Sequence, residues 1–203
     1  MSAAKQTAAT PTKRPRDAQA TRELLLAAAT QEFAEYGLAG ARIDRIAERA
    51  GANKRLLYVY FGDKDQLFDV VLQREAEKLA TAVPLNAEDL VAFAAARFDY
   101  FLANPHVSRL ATWRAFERAE PTESEQASYL QKVQAVEAAQ RAGKVNPAIA
   151  AVDLFAMVLR ISDSWLTAPR ALLAVAEDHD SESRINEHRA AVIAAVQSFT
   201  AVQ

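Results

Sequence analysis

Six side chains between residues 53 and 64 are of types that bind polyanions: Asn53, Lys54, Arg55, Tyr58, Tyr60 and Lys64. Guanidinium and ammonium groups donate to phosphate oxygens, and an arginine also forks onto the acceptors of a guanine edge. Asparagine and tyrosine add neutral donors to the nucleic-acid backbone. These polar groups are threaded through apolar ones in the stretch GANKRLLYVYFGDKDQLF, residues 51–68. At about 100° per residue the two kinds separate. With Leu57 inward, Phe61 falls beside it, Arg55, Tyr58 and Val59 point outward, and Lys54 and Tyr60 take the margins. One face of a short helix can pack while the other meets DNA.

Such a face works only when it is held steeply across a preceding helix. Arg42 to Ala50 supplies that helix, with Ile43, Ile46 and Ala47 inward. Ala50-Gly51-Ala52-Asn53 supplies the turn, in which Gly51 stops one helix and Asn53 caps the next. Gly62 ends the second helix, and Asp63-Lys64-Asp65-Gln66 reads as an Asp/Gln capping box for a third. Lys64 in that first turn opposes the helix dipole but suits a phosphate. Arg42 and Arg45 extend the candidate DNA contacts. Arg45 reads equally as a solvated cation paired with an acid such as Glu48, and Arg49 reads better as solvated.

The remaining pattern is helical throughout. Residues 1–16, with Lys13, Arg14 and Arg16, are expected to form a disordered basic arm, either solvated or laid along DNA. A first helix over 17–36 buries Leu25, Leu26, Ala29 and Phe33 and stops at Gly37. Further helices are expected over 63–83, 86–103, 105–119, 122–142, 147–168 and 181–202, with 169–180 ambiguous. No strand pattern or internal repeat appears, so the expected fold is all-α with about nine helices. A helix-turn-helix unit over 17–62 precedes a larger helical unit over 63–203.

Net charge is −2, but residues 1–64 hold eleven Lys+Arg against seven Asp+Glu, and the rest hold thirteen against nineteen. That asymmetry points to a nucleic-acid-facing end. There is no cysteine, so thiolate and disulfide chemistry is excluded. The N-terminus lacks the apolar core of a signal peptide, and the apolar stretch Ala148 to Leu166 is interrupted by Asp153, Arg160 and Asp163. A cytoplasmic protein without membrane association is expected. No catalytic triad, phosphate loop or metal-hydrolase motif appears, so neither catalysis nor a cofactor is expected. The acidic run Glu177 to Glu182 is explained by its place before a helix N-terminus, and no metal is expected.

TRELLLAAATQEFAEYG followed by IDRIAERAGANKRLLYVYFGDKDQLF resembles the DNA-binding domain of the TetR family of bacterial transcriptional regulators. The resemblance covers roughly residues 20–68 and rests on Phe33, Gly37, Ile46-Ala47, Ala50-Gly51, Leu57-Tyr58, Tyr60-Phe61, Lys64 and Leu67. It implies a homodimer on double-stranded operator DNA, with a C-terminal domain that dimerises through its last two long helices and holds a small-molecule pocket. It also implies repression relieved by an effector, here unknown. Lys54 and Arg55 match recognition-helix contacts, Tyr58 and Tyr60 match aromatic contacts, and Lys64 matches a phosphate-binding lysine. Where the family usually opens its second helix with a Thr pair, Ala41-Arg42 stand here, so the hydroxyl cap is missing and Arg42 is the substitute phosphate contact.

Candidate ligand contacts in the second unit are Phe101, His106, Trp113, Phe116, Phe155, Arg160 and Trp165. The aromatic ones, with Phe98 and Met157, also fit ordinary core spacing. A pocket needs a few polar groups among apolar ones, and Arg109, Asp153 and Asp163 are further candidates. Two rivals remain: a DNA-binding regulator controlled by a protein partner or by abundance, and a helical enzyme, for which no constellation is visible.

Overall fold

The computed structural model describes residues 15–202 apart from 119 and 177. Among the described residues there are ten helices and no strand: α1 (Pro15–Gly40), α2 (Ile43–Arg49), α3 (Lys54–Phe61), α4 (Lys64–Ala82), α5 (Leu90–Ala103), α6 (Pro105–Glu117), α7 (Glu123–Arg141), α8 (Ala151–Ser162), α9 (Arg170–Leu173) and α10 (Glu182–Thr200).

The expected all-α fold is observed, with differences that have local causes. α1 starts at Pro15, so the arm expected to reach 16 yields its last two residues to the helix. Proline suits a first turn, where its missing N–H leaves no bond unmade. The rest of that arm, residues 1–14, lies outside the described residues. The expected stop at Gly37 is a break rather than an end: Gly37 takes φ 66° and ψ −175°, and one further turn follows it. α5 starts at Leu90 rather than 86, because Asn86 Oδ1 accepts from Glu88 N at 3.1 Å and Asp89 caps the helix by accepting from Ala92 N at 2.9 Å. α8 is shorter than 147–168. Before it, Asn146 Oδ1 takes Ala148 N at 2.9 Å, and beyond it Ser164 and Thr167 bond back to the Ile161 and Asp163 carbonyls. Such side-chain bonds compete with helix continuation. The ambiguous segment holds the single turn α9, which raises the expected nine helices to ten.

Two apolar cores organise these helices. The first gathers Leu25, Leu26, Ala29 and Phe33 of α1, Ile46 and Ala47 of α2, Leu57 and Phe61 of α3, and Leu67, Phe68 and Val71 of α4. Phe33 and Phe68 meet edge to face with centroids 5.0 Å apart. Leu110 of α6 completes this core and Trp113 packs on it, so its packing extends beyond residue 62. The second core is built from α5, α7, α8 and α10 around Phe93, Phe98, Val136, Leu154, Phe155, Val158, Val192 and Val196. A bidentate pair from Arg189 to Asp99, at 2.7 and 2.8 Å, fastens α10 to α5. Asn146 Nδ2 donates to the Phe199 carbonyl at 3.0 Å and fastens the end of α10 to the α7–α8 connection.

α6 bridges the two units. At its C-terminal end the Glu117 carboxylate accepts from Leu38 N at 2.6 Å and Ala39 N at 3.0 Å, just past the break in α1. Arg118 then reaches α4, with Nε 3.1 Å from Asp69 Oδ1 and Nη1 3.2 Å from Asp65 Oδ1, and its guanidinium lies over the Phe68 ring at 5.6 Å.

Candidate nucleic-acid interface

α2 and α3 are joined by a tight turn. Gly51 sits at φ 60°, a conformation that L side chains rarely adopt, and donates to the Glu48 carbonyl at 3.0 Å. Asn53 caps α3: its Oδ1 accepts from Arg55 N at 2.8 Å. Its side-chain oxygen is therefore a structural acceptor, and only the amide nitrogen is left to donate elsewhere.

The face of α3 divides as its spacing demands. Leu57 and Phe61 are buried in the first core, whereas Tyr58 and Val59 are 50% and 65% exposed and Lys54 and Arg55 are exposed beside them. Tyr60 is half-buried, packs on the core and meets Phe61 edge to face at 6.1 Å. Lys54 bonds Asp44 of α2 at 2.7 Å, and that bond holds the ammonium above its usual value. Lys54 thus stays charged and is drawn toward α2.

Lys64 opens α4 behind a complete capping box, in which Asp63 Oδ1 accepts from Gln66 N at 2.8 Å and Gln66 Oε1 accepts from Asp63 N at 3.0 Å. Its Nζ donates to the Ala41 carbonyl at 3.3 Å, which brings it beside Arg42 at the start of α2. The structure therefore groups Lys64 with the exposed Arg42, and Arg55, Tyr58 and Lys54 form the neighbouring face of α3.

Arg45 takes a different place from the one expected of a phosphate contact. Its Nε donates to Glu32 Oε1 at 2.7 Å and its Nη2 to the Gly40 carbonyl at 3.0 Å, and the guanidinium lies 4.2 Å from the Tyr36 ring centroid. Its partner is Glu32 rather than Glu48. Glu32 is 0% exposed and also accepts from Arg42 N at 2.9 Å, taking up an N–H at the start of α2, where no side-chain cap is present. A carboxylate buried this deeply must be paired, and Arg45 is committed to pairing it. Sequence reasoning passed over Glu32. The signal was available, because residue 32 follows Ala29 and precedes Phe33 on the inward stripe of α1. Asp44, the partner of Lys54, was likewise missed.

The candidate ligand contacts do not converge. Phe116 is 79% exposed, which corrects its expected core position: α6 turns Leu110 and Trp113 into the first core, and Phe116, one turn further on, lies beyond the neighbours that cover them. Met157, also placed at core spacing, is exposed on α8. Trp113 covers Gly37 in the first core. His106 faces α4, with Nε2 3.3 Å from the buried Glu75 Oε2. Arg160 is exposed and pairs with Asp163 at 3.2 Å. Arg109 and Asp153 are exposed. Phe155 lies in the second core, stacked on Phe93 at 6.1 Å, and Phe101 is buried nearby on α5. Trp165 packs on His188 at 4.6 Å. Two surface grooves run along α4: one of about 270 Å³ is lined by Arg22, Leu26, Val70 and Arg74, and one of about 540 Å³ by Arg74, Lys78, Thr81 and Tyr100. Neither is lined by these candidates.

Comparison with known proteins agrees with this geometry. Residues 25–71 match the family described as bacterial regulatory proteins, tetR family, and residues 89–198 match a tetracyclin repressor-like C-terminal domain. The chain is 40% identical over 159 residues to the HTH-type transcriptional repressor SCO4008 of Streptomyces coelicolor, covering 76% of this chain and 83% of that protein. It is 39% identical over 110 residues to the HTH-type transcriptional repressor NicS of Pseudomonas putida, covering 49% of this chain and 50% of that one. Among solved structures, the putative transcriptional regulator SCO4942 from Streptomyces coelicolor superposes with a TM-score of 0.82 at 37% identity, covering 90% of this chain and 99% of that one.

Proposed function

Because this chain belongs to the TetR family and is a DNA-binding transcriptional regulator, we propose that it acts as a homodimeric repressor released from a palindromic operator by a small molecule. The observation that carries the proposal is the outward face of α3, where Arg55, Tyr58 and Val59 are exposed while Leu57 and Phe61 are locked into the core. An exposed polar face on a rigidly held helix is what major-groove reading requires.

Dimerisation is supported by α8 and α10. Val152, Ala156 and Met157 on α8 and Ala190, Ala191 and Ala194 on α10 are exposed. These small and apolar side chains let two helix pairs approach closely, and a second copy would cover them. Two recognition helices related by a twofold axis read half-sites about 34–36 Å apart, or a multiple of that. Release is supported by the grip of α6 on α1 and α4. A ligand with different affinities for two arrangements of that junction shifts the spacing of the recognition helices.

The test is selection of bound DNA from a random pool, followed by sedimentation of the protein and its complex. An inverted repeat bound by a two-chain species is expected. A single half-site bound by one chain would refute the dimer, and no enriched sequence would refute specific recognition. A second reading, a regulator without an effector, is favoured by the dispersal of the candidate ligand contacts between the two cores.

A further inference from the structure

Arg97 of α5 and Lys132 of α7 are both half-buried cations in the second domain, and neither forms an ion pair among the described residues. Arg97 Nε donates to the Oγ of fully buried Ser162 at 3.1 Å. Its guanidinium lies 5.7 Å from the centroid of Phe93 and 4.9 Å from that of Phe101. Lys132 Nζ bonds Ser128 Oγ at 3.1 Å and sits 5.0 Å from the centroid of Tyr129, a half-exposed residue that brings the cluster to the surface. Burial holds both cations below their usual values, and the charge of Arg97 lowers Lys132 further. The acid nearest in chain to this cluster is Asp163, next to Ser162. Its Oδ2 takes the exposed Arg160 at 3.2 Å, and its Oδ1 is buried and accepts no hydrogen bond.

Two mutually repelling, half-buried cations are unfavourable unless something anionic joins them. Asp163 is already paired with Arg160 at 3.2 Å, so the positive charge of Arg97 and Lys132 is left without an acid partner among the described residues. An anion between them is matched in charge, and the planar fork of a guanidinium matches a carboxylate. Phe93, Phe101 and Tyr129 add apolar rings around the charges, and the free Asp163 Oδ1 accepts from a ligand hydroxyl or N–H.

We propose that Arg97 and Lys132 anchor a small-molecule site between α5, α7 and α8 whose ligand is a monocarboxylate with an aromatic or otherwise apolar body. The proposal rests on the reading that the second domain receives the effector. Arg97 presents a fork to the carboxylate, Lys132 adds a point charge, and Ser162 fixes the guanidinium plane.

The test uses the full chain with benzoate, 4-hydroxybenzoate and octanoate as probes. Benzamide serves as the uncharged control and phenyl phosphate as the dianionic one. Calorimetry and thermal melting should show at least one carboxylate binding and raising Tm, with benzamide and phenyl phosphate at least about tenfold weaker. Arg97→Gln and Lys132→Met should each weaken carboxylate binding by about tenfold or more, with the helical circular dichroism signal as the folding control. Should one variant fail to fold, the other decides. No response to any carboxylate at tens of millimolar, an equal response to benzamide, or equal binding by both variants overturns the proposal. Tighter binding of phenyl phosphate overturns the carboxylate assignment. A carboxylate that binds through Arg97 and Lys132 yet leaves the selected operator bound upholds this site and refutes release by that ligand, so the two readings fail separately.

Discussion

Trp113 lies directly across Gly37: a Cβ on residue 37 would stand 2.7 Å from the indole Cε3. The glycine also sits at φ 66°, so both backbone and space exclude a side chain there. Gly37→Ala should therefore destabilise the protein by about 1–2 kcal/mol or more through strain and displacement of Trp113. The urea midpoint and the tryptophan fluorescence should shift together. An unchanged midpoint would mean that the break in α1 tolerates a side chain.

Glu32 ties α1 to α2 through one carboxylate, taking Arg45 Nε, Arg42 N and, more distantly, Arg49 at 3.9 Å. Glu32→Ala leaves these donors without their buried acceptor and should cost about 3 kcal/mol in urea unfolding. Glu32→Gln should cost less, because the amide oxygen still accepts. Equal loss in both variants would assign the effect to packing alone.

DNA binding separates base reading from charge. Arg55→Ala should relax preference at one base pair by about 1–3 kcal/mol, whereas Lys64→Ala should weaken all sequences alike and flatten the salt slope by about 1. Asp44→Asn removes the partner that holds Lys54 at 2.7 Å, so it should strengthen non-specific binding and steepen the salt slope by about 1. Titrations of selected and scrambled DNA at several salt concentrations check all three, and an unchanged slope for Asp44→Asn would show that Lys54 does not reach phosphate.

His188 is held below the usual histidine value of 6.5 by burial first and then by Arg184. Above that value the imidazole is neutral in both folded and unfolded chains, and it contributes no pH dependence. As pH falls below it, the unfolded chain takes the proton first, so stability is lost until the folded His188 also titrates. The imidazole packs on Trp165 and Phe98 and bonds Ser164 at 3.1 Å. Urea unfolding at pH 7.5 and 5.5 should show a loss in the wild type that His188→Gln reduces. The same loss in both chains would place the proton elsewhere.

Amphipathic spacing was enough to place Leu57 and Phe61 inside and Arg55, Tyr58 and Val59 outside, because a short helix leaves each side chain one direction to take. Caps at Asn53 and Asp63 were legible for the same reason, since they concern neighbours in the chain. Arg45 and Phe116 were not. Their surroundings are set by which face of α1 or α6 meets another helix, and periodicity alone does not say which neighbour arrives. Arg97 and Lys132 escaped notice as well, because a lysine or arginine on a helix reads as solvated until the folded chain half-buries it. The membership of Leu110 in the first core depends on a contact between segments some 80 residues apart, which local pattern does not encode.

That last contact limits how freely the protein can be cut and recombined. A chimera that exchanges residues 1–62 for another DNA reader inherits an incoming α1 with no matched lid. Leu110, Trp113 and Glu117 remain with the recipient, shaped to Gly37, Leu38 and Ala39 of the original. A transplant that respects the packing must carry the far half of α6 along with the reader, so the unit of modularity here is discontinuous in sequence.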